Sequence, residues 1–226
     1  METKILHHLW QVGGEDLTAP GDAAIYLIRF GDQAALIDAG CGRAHARLTA
    51  NIDRCLGGQA RLTRLLLTHC HFDHCGGADA VRRTYGCSIV AHALDAVFLE
   101  AGDSDVTAAS WYGAKMDPLP VDIKLDLPET RLPVGSGTIT ARHWPGHSPG
   151  SMIYFTRVDD RLVLFGQDVH GPIHPSLKSD ARCYQASLRQ ILQLDADLLL
   201  EGHFGIIEGK AAVRRFIRSY MNPDVA

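Results

Sequence analysis

Apolar and polar positions fall into short blocks along the chain, and their spacing changes from block to block. Residues 23–30 (AAIYLIRF) and 33–40 (QAALIDAG) are apolar runs separated by Gly31 and Asp32, which predicts a β-hairpin. Residues 43–56 bring Leu48, Ile52, Cys55 and Leu56 round at steps of three and four, the spacing of an amphipathic helix. Residues 64–68 (RLLLT) read as a short buried strand, 76–86 as a helix with glycine at both ends, and 87–92 as another strand. Residues 93–101 read as helix. Residues 102–120 are polar and aromatic with prolines at the end, a helical or irregular excursion over the surface, and 93–130 as a whole is a candidate lid. Beyond it, 138–144, 151–157 and 161–166 read as strands, the last two joined at Asp159 and Asp160. A helix over 181–194 carries Tyr184, Leu188, Ile191 and Leu192 on one face, and a strand (197–202) and a helix (210–221) close the chain.

Strand blocks alternate with helices and no Pro/Gly/Ser linker separates them, so residues 1–226 are expected to form one domain of α/β (α+β) class, with helices covering sheet faces. The order of elements is stated twice, once in each half of the chain.

Composition narrows the partners. The formal charge of −4 and the lack of Lys/Arg runs beyond VRRF give a nucleic-acid partner no electrostatic support. No run approaches the roughly 20 apolar residues needed to cross a bilayer, so no membrane association is expected. The first residues have no apolar signal core, which points to the cytoplasm. The six cysteines form no CxxC pair and are expected as free thiols. Nothing in the sequence sets the oligomeric state.

The chemistry is concentrated at strand ends. His69, His71, Asp73 and His74 follow strand 64–68 in THCHFDHCGG. His147 follows 138–144 in PGHSPGS, Asp168 follows 161–166 in FGQD, His203 follows the last strand in EGH, and Asp38 follows AALI. Open sheets commonly place their sites at the carboxyl edges of strands. If these strands run side by side, the residues meet on one rim. Imidazoles and carboxylates are zinc ligands. His69 and His71, two apart in extended chain, point the same way. Asp73 and His74 come one bend later and can face a second ion, with Asp168 as a candidate bridge. Three imidazoles with a carboxylate suit zinc, iron or manganese. Two ions so held lower the pKa of bound water towards neutrality and generate a nucleophile.

With HxHxDH, PGHSPGS, FGQD and EGH in this order, and LIDAG before the first helix, the chain from about residue 20 to 205 resembles the metallo-β-lactamase-fold hydrolase superfamily. The resemblance implies a four-layer αββα sandwich, two mixed β-sheets face to face with helices on the outside. It implies a first divalent metal, zinc by preference, on His69, His71 and His147, a second on Asp73, His74 and His203, and Asp168 between them. An acid at the bridging position is similar to the glyoxalase II and lactonase branch, unlike β-lactamases with cysteine there. The function so implied is cleavage of an ester, thioester or lactone, a small-molecule substrate, by a metal-bridging hydroxide oriented by the catalytic Asp73 and Asp168. The alternative within the superfamily is a mononuclear-iron persulfide dioxygenase.

Other residues carry two readings each. Asp38 is either a hydrogen-bond acceptor for a ligand imidazole or a turn residue. His170 and His174 either touch substrate or order their own loop. His92 and His143 are expected to be structural, Cys70 and Cys75 to be small buried apolar residues. Trp111 and Tyr112 either line the cleft or pack beneath the excursion.

Overall fold

The computed structural model describes residues 2–166 and 168–222. Gln167 of the FGQD motif lies outside the described residues. Strands β1 (Thr3–Leu6), β2 (Leu9–Gly13), β3 (Ile25–Phe30), β4 (Gln33–Ile37), β5 (Arg61–Leu66), β6 (Ser88–His92) and β7 (Ile123–Leu125) form one sheet in sequence order. The first four are antiparallel and β4 to β7 run parallel. The second sheet has the order β13 (Ile206–Glu208), β12 (Leu198–Leu200), β11 (Arg161–Phe165), β10 (Met152–Val158), β9 (Gly137–His143), β8 (Glu129–Val134). It is antiparallel apart from the β11–β12 pair.

Strands buried on both faces explain the continuous apolar runs. Along β3, Ile25 and Leu27 turn outward to helices α1 (His45–Leu56), α3 (Ala78–Tyr85) and α4 (Ala93–Ala101), while Tyr26 and Ile28 turn inward to the other sheet. Leu36 and Ile37 on β4 divide the same way. In the second sheet, Val163 and Phe165 face inward and Leu164 packs beneath α5 (Ala181–Leu194) and α6 (Lys210–Ser219). The layers are therefore αββα, the expected sandwich. Helix ends follow local chemistry: Asp180 caps α5 by accepting the Cys183 N–H, and α1 stops where Gly57 turns left-handed at φ 60°.

Strands β1, β2, β7, β8 and β13 escape the periodicity argument. They are short or lie towards the sheet edges, where one polar face hides the apolar signal, and β8 carries Pro133 on an edge. Part of the excursion at 93–130 is thus sheet rather than lid: β7 extends the first sheet and β8 begins at Glu129.

The two halves repeat one unit: hairpin β3–β4, helix α1, parallel strand β5, then hairpin β10–β11, helix α5, parallel strand β12. Each hairpin grips the ligand-bearing strand end of the opposite sheet. Met152 N–H donates to Thr68 O at 2.7 Å and Ala24 N–H donates to Gly202 O at 2.8 Å. Two wholly buried tyrosines repeat the exchange, Tyr154 donating to Leu67 O at 2.8 Å and Tyr26 to Glu201 O at 2.9 Å. Tyr154→Phe leaves a buried carbonyl unpaired and is expected to cost about 1–3 kcal/mol. A lower urea midpoint at unchanged m-value is the readout, and an unchanged midpoint would remove Tyr154 as a clasp.

Candidate metal centre

Strand ends deliver the site. Residue 38 follows β4 in the left-handed region (φ 62°), a conformation that Asp tolerates better than most side chains. Its carboxylate accepts Thr68 N–H at 2.8 Å and Thr68 Oγ–H at 2.8 Å, and receives His74 Nδ1–H at 2.7 Å. Of its two readings, the acceptor for an imidazole is the one observed. After β5 the chain bends at Thr68 and Cys70, is extended at His71, then makes the single turn α2 (Phe72–Cys75), so that Asp73 and His74 lie buried one turn after His69 and His71.

The seven candidate residues meet. Atoms of His69, His71, His147 and Asp168 lie within 4.8 Å of one another, as do those of Asp73, His74, Asp168 and His203. Asp168 belongs to both groups. Six of the seven are buried and His203 reaches solvent.

Proton bookkeeping shows what the cluster lacks. Thr68 spends its hydroxyl proton on Asp38, so its oxygen accepts from His69 Nδ1–H at 3.0 Å, and His69 Nε2 is left as a lone pair. His147 Nδ1–H donates to Pro172 O at 2.8 Å, so its Nε2 is a lone pair too. These two nitrogens face each other at 3.2 Å with no proton between them. His74 Nε2 meets Asp168 Oδ1 at 3.0 Å without forming a hydrogen bond. Together with His71 Nε2, both are buried and unpartnered. Such groups are costly to bury unless a cation sits among them. Burial and the neighbouring imidazoles push His69 far below its usual range, and burial and His147 push His71 down to about 3, so protons do not fill the gap there. Burial opposes protonation of His74, but Asp168, Asp73 and Asp38 outweigh it and hold that imidazole well above its usual value. A dication would satisfy both halves at once. The residues fit the metal.

Asp95 and Glu201 are buried carboxylates that sequence reasoning missed. Asp95, inside what reads as an ordinary helix, accepts Cys70 N–H at 3.0 Å, Gly150 N–H at 2.6 Å and Ser148 Oγ–H at 2.6 Å. It thereby ties the loop of His147 to the segment of His69. The only signal was a charge on the helix face that also carries Leu99. Glu201 stands in EGH next to the ligand, where a charge closing an apolar strand was the available clue.

Elsewhere the candidates separate. A cleft of about 150 Å³ opens beside the cluster, with Trp111, Tyr112 and His170 in its walls. His174 instead accepts Ser176 N–H and packs edge-on to Trp111. His92 and His143 stack at 3.8 Å, one on each sheet, with His143 Nε2 bonded to Pro149 O and His92 capping α4. Cys70 and Cys75 are buried thiols. His8 and His45 lie apart from the cluster and bond Arg29 and Thr84.

Fold and site together define a metal-dependent hydrolase of αββα architecture. The chain belongs to the metallo-β-lactamase superfamily, whose family model matches residues 18–203. It is 31% identical over 198 residues to an uncharacterized protein of Mycobacterium leprae, covering 83% of this chain and 88% of that one. It is 30% identical over 150 residues to the probable metallo-hydrolase YqgX of Bacillus subtilis, covering 65% and 66%. A solved B3 metallo-β-lactamase with an active-site glutamic acid superposes with a TM-score of 0.78 at 22% identity, over 97% of this chain and 86% of that chain. Among the described residues no helix is long and apolar enough to cross a membrane.

Gly202 sits against the cluster: a Cβ there would lie 2.6 Å from Asp168 Oδ1 and 2.9 Å from His74 Cε1. Gly202→Ala is expected to lower bound metal per chain, measured by elemental analysis, while the fold survives by circular dichroism. Asp38→Ala should weaken metal binding by about 10–100-fold in a competition titration with a chelating dye. Unchanged metal content and affinity in both would contradict the placement.

Proposed function

We propose that this chain cleaves a neutral ester, thioester or lactone with two divalent cations. His69, His71 and His147 would hold one, Asp73, His74 and His203 the other, and Asp168 would hold both. Zinc suits the ligand types best, and iron and manganese are accommodated. Bound there, the ions would supply a Lewis acid for the carbonyl and bring water ionisation close to neutral pH.

The chain's own residues do the rest. Asp73 and Asp168 would orient the attacking water, and His203 Nε2 stands 3.1 Å from Asp73 Oδ2 and 3.4 Å from Asp168 Oδ1. Asp38 fixes the tautomer and plane of His74, and Thr68 does the same for His69. Tyr112, half-buried, faces Asp73, and burial together with that carboxylate raises its phenol above the usual range, keeping it protonated.

The observation that carries the reading is the lone-pair contact of His69 with His147, together with the unpartnered atoms of His71, His74 and Asp168, beside an open cleft. Among the described residues the cleft wall, with Trp111, Tyr112, Pro172 and Leu177, has no Lys or Arg, which favours an acyl substrate over a phosphodiester. We further take residues 1–226 as one domain, because strands of both sheets share the inner apolar cluster. We place the protein in the cytoplasm, where six free thiols persist.

Elemental analysis followed by a panel of thioesters, esters and lactones tests the function. Two zinc ions per chain with turnover are expected. His69→Ala and Asp168→Ala should abolish turnover, whereas His7→Ala, on the exposed β1–β2 turn, should keep the native rate. One iron per chain with oxygen uptake on a persulfide would replace this reading by the dioxygenase one.

A further inference from the structure

We propose that the outer face of helix α4, together with Leu127 and Pro128, is a self-association surface whose occupant is a second copy of this chain, related by a twofold axis. The surface is separate from the cleft, so the proposal stands independently of the hydrolase reading.

Its basis is a helix that is apolar on both sides. Asp95, Ala96 and Leu99 of α4 turn to the interior. Leu94, Val97 and Ala101, spaced three and four apart, line the opposite side, with Leu94 49% and Val97 61% exposed. A helix apolar all round is ordinarily covered on all sides. A chain of contacts carries this surface across to the second sheet. His92 accepts Leu94 N–H and stacks at 3.8 Å on His143, whose own N–H donates to Pro128 O at 2.9 Å. Pro128 is exposed, and beside it Leu127 is 57% exposed. Among the described residues the other exposed large apolar side chains, Trp111, Ile173, Phe204 and Ile206, sit in the cleft wall or on the segments that carry His170 and His203. Leu94, Val97 and Leu127 thus form a second apolar surface, and no residue of the cleft wall belongs to it.

Charge decides what covers it. Two ion pairs flank the apolar face, Lys124 with Glu100 at 2.7 Å and Arg142 with Glu129 at 2.6 Å, each closed within the chain. Asp126 is the remaining charge on residues 123–129. A strongly acidic or basic partner would find little net charge to meet, whereas two copies of so nearly neutral a patch do not repel each other. A twofold contact also needs a surface that matches itself. An apolar stripe along a helix does so when the two helices cross antiparallel, with Val97, the middle of the stripe, on the axis. The nine residues of α4 and one short segment make a small interface against the roughly 800 Å² per partner of standard complexes. The dimer therefore dissociates on dilution.

Sedimentation equilibrium of the full chain tests the proposal. The mass is expected to rise from that of one chain towards that of two as concentration increases. Val97→Glu, and Leu127→Glu from the other segment, should each weaken association at least about tenfold. Both side chains are exposed, so circular dichroism and the urea midpoint should stay native. Val97→Lys should weaken association in the same way. An equimolar mixture of Val97→Glu and Val97→Lys should regain the two-chain mass, because an axis at Val97 brings opposite charges together. Phe204→Glu, on the other apolar surface, should associate as the unaltered chain does. An unaltered chain that keeps the mass of one chain at every concentration would overturn the proposal and leave the face to a different protein. A dimer that survives both Val97→Glu and Leu127→Glu, or that Phe204→Glu disrupts, would overturn it by placing the contact elsewhere. A mixture that fails to pair would overturn the twofold arrangement.

Discussion

Two imidazole nitrogens, on His69 and His147, face each other at 3.2 Å with their protons committed elsewhere. A few ångströms away His74 Nε2 stands 3.0 Å from Asp168 Oδ1, neither with a hydrogen-bond partner. In a low-dielectric interior the two facing imidazole lone pairs repel, and each unpaired group also forgoes the water it left behind. A fold that places them there must gain more from a cation than it loses without one. The first loss falls on local geometry, since the side chains would turn away if they were free to. They are not free. Asp38, Thr68 and Pro172 hold the far side of each ring, Asp95 holds the two loops together, and Gly202 leaves room for no other side chain.

That restraint follows from the architecture. A cluster of candidate ligands assembled from four separate segments is only as rigid as the relation between the two sheets. The sandwich fixes it with reciprocal contacts: Met152 and Tyr154 from one hairpin hold Leu67 and Thr68, and Ala24 and Tyr26 from the other hold Glu201 and Gly202. The repeated hairpin–helix–strand unit thus places one strand end from each half against its counterpart. The metal-ligand candidates sit at the junction because it is where both halves present their carboxyl edges. Inner apolar burial, from Ile28, Ile37 and Leu66 to Val163 and Phe165, supplies the cohesion that the polar rim does not.

The legible part of the sequence was what local pattern dictates. Doubly buried strands gave apolar runs, as in β5, β11 and β12, and candidate ligands stood shortly after them, so all seven candidates could be named from spacing and motif order. The edge strands β1, β8 and β13 were not legible, since their pairing depends on a neighbour distant in the chain and one face is polar. Asp95 was hidden for a related reason. Its partners Cys70, Ser148 and Gly150 lie far from it in sequence, and within a helix an aspartate reads as solvated surface. Asp38 could be narrowed to two roles but not decided, because choosing between them required knowing that His74 Nδ1 points at it.

The site is asymmetric in a way that bears on how it works. The side chains of His69, His74 and His147 have no solvent exposure, whereas that of His203 keeps 32%. The group built on His69, His71 and His147 is therefore enclosed by side chains packed inside the sandwich. The group that includes His203 has one member on a short segment between β12 and β13, beside the cleft. Movement is cheaper where less packing must be broken, so His203 is the less restrained of these histidines. Glu201 limits that movement, because its carboxylate holds the His203 and Phe204 backbone and the His170 ring together. One buried carboxylate thus steadies the exposed His203 and the neighbouring cleft wall at the same time, so the candidate metal centre and the cleft beside it share one anchor.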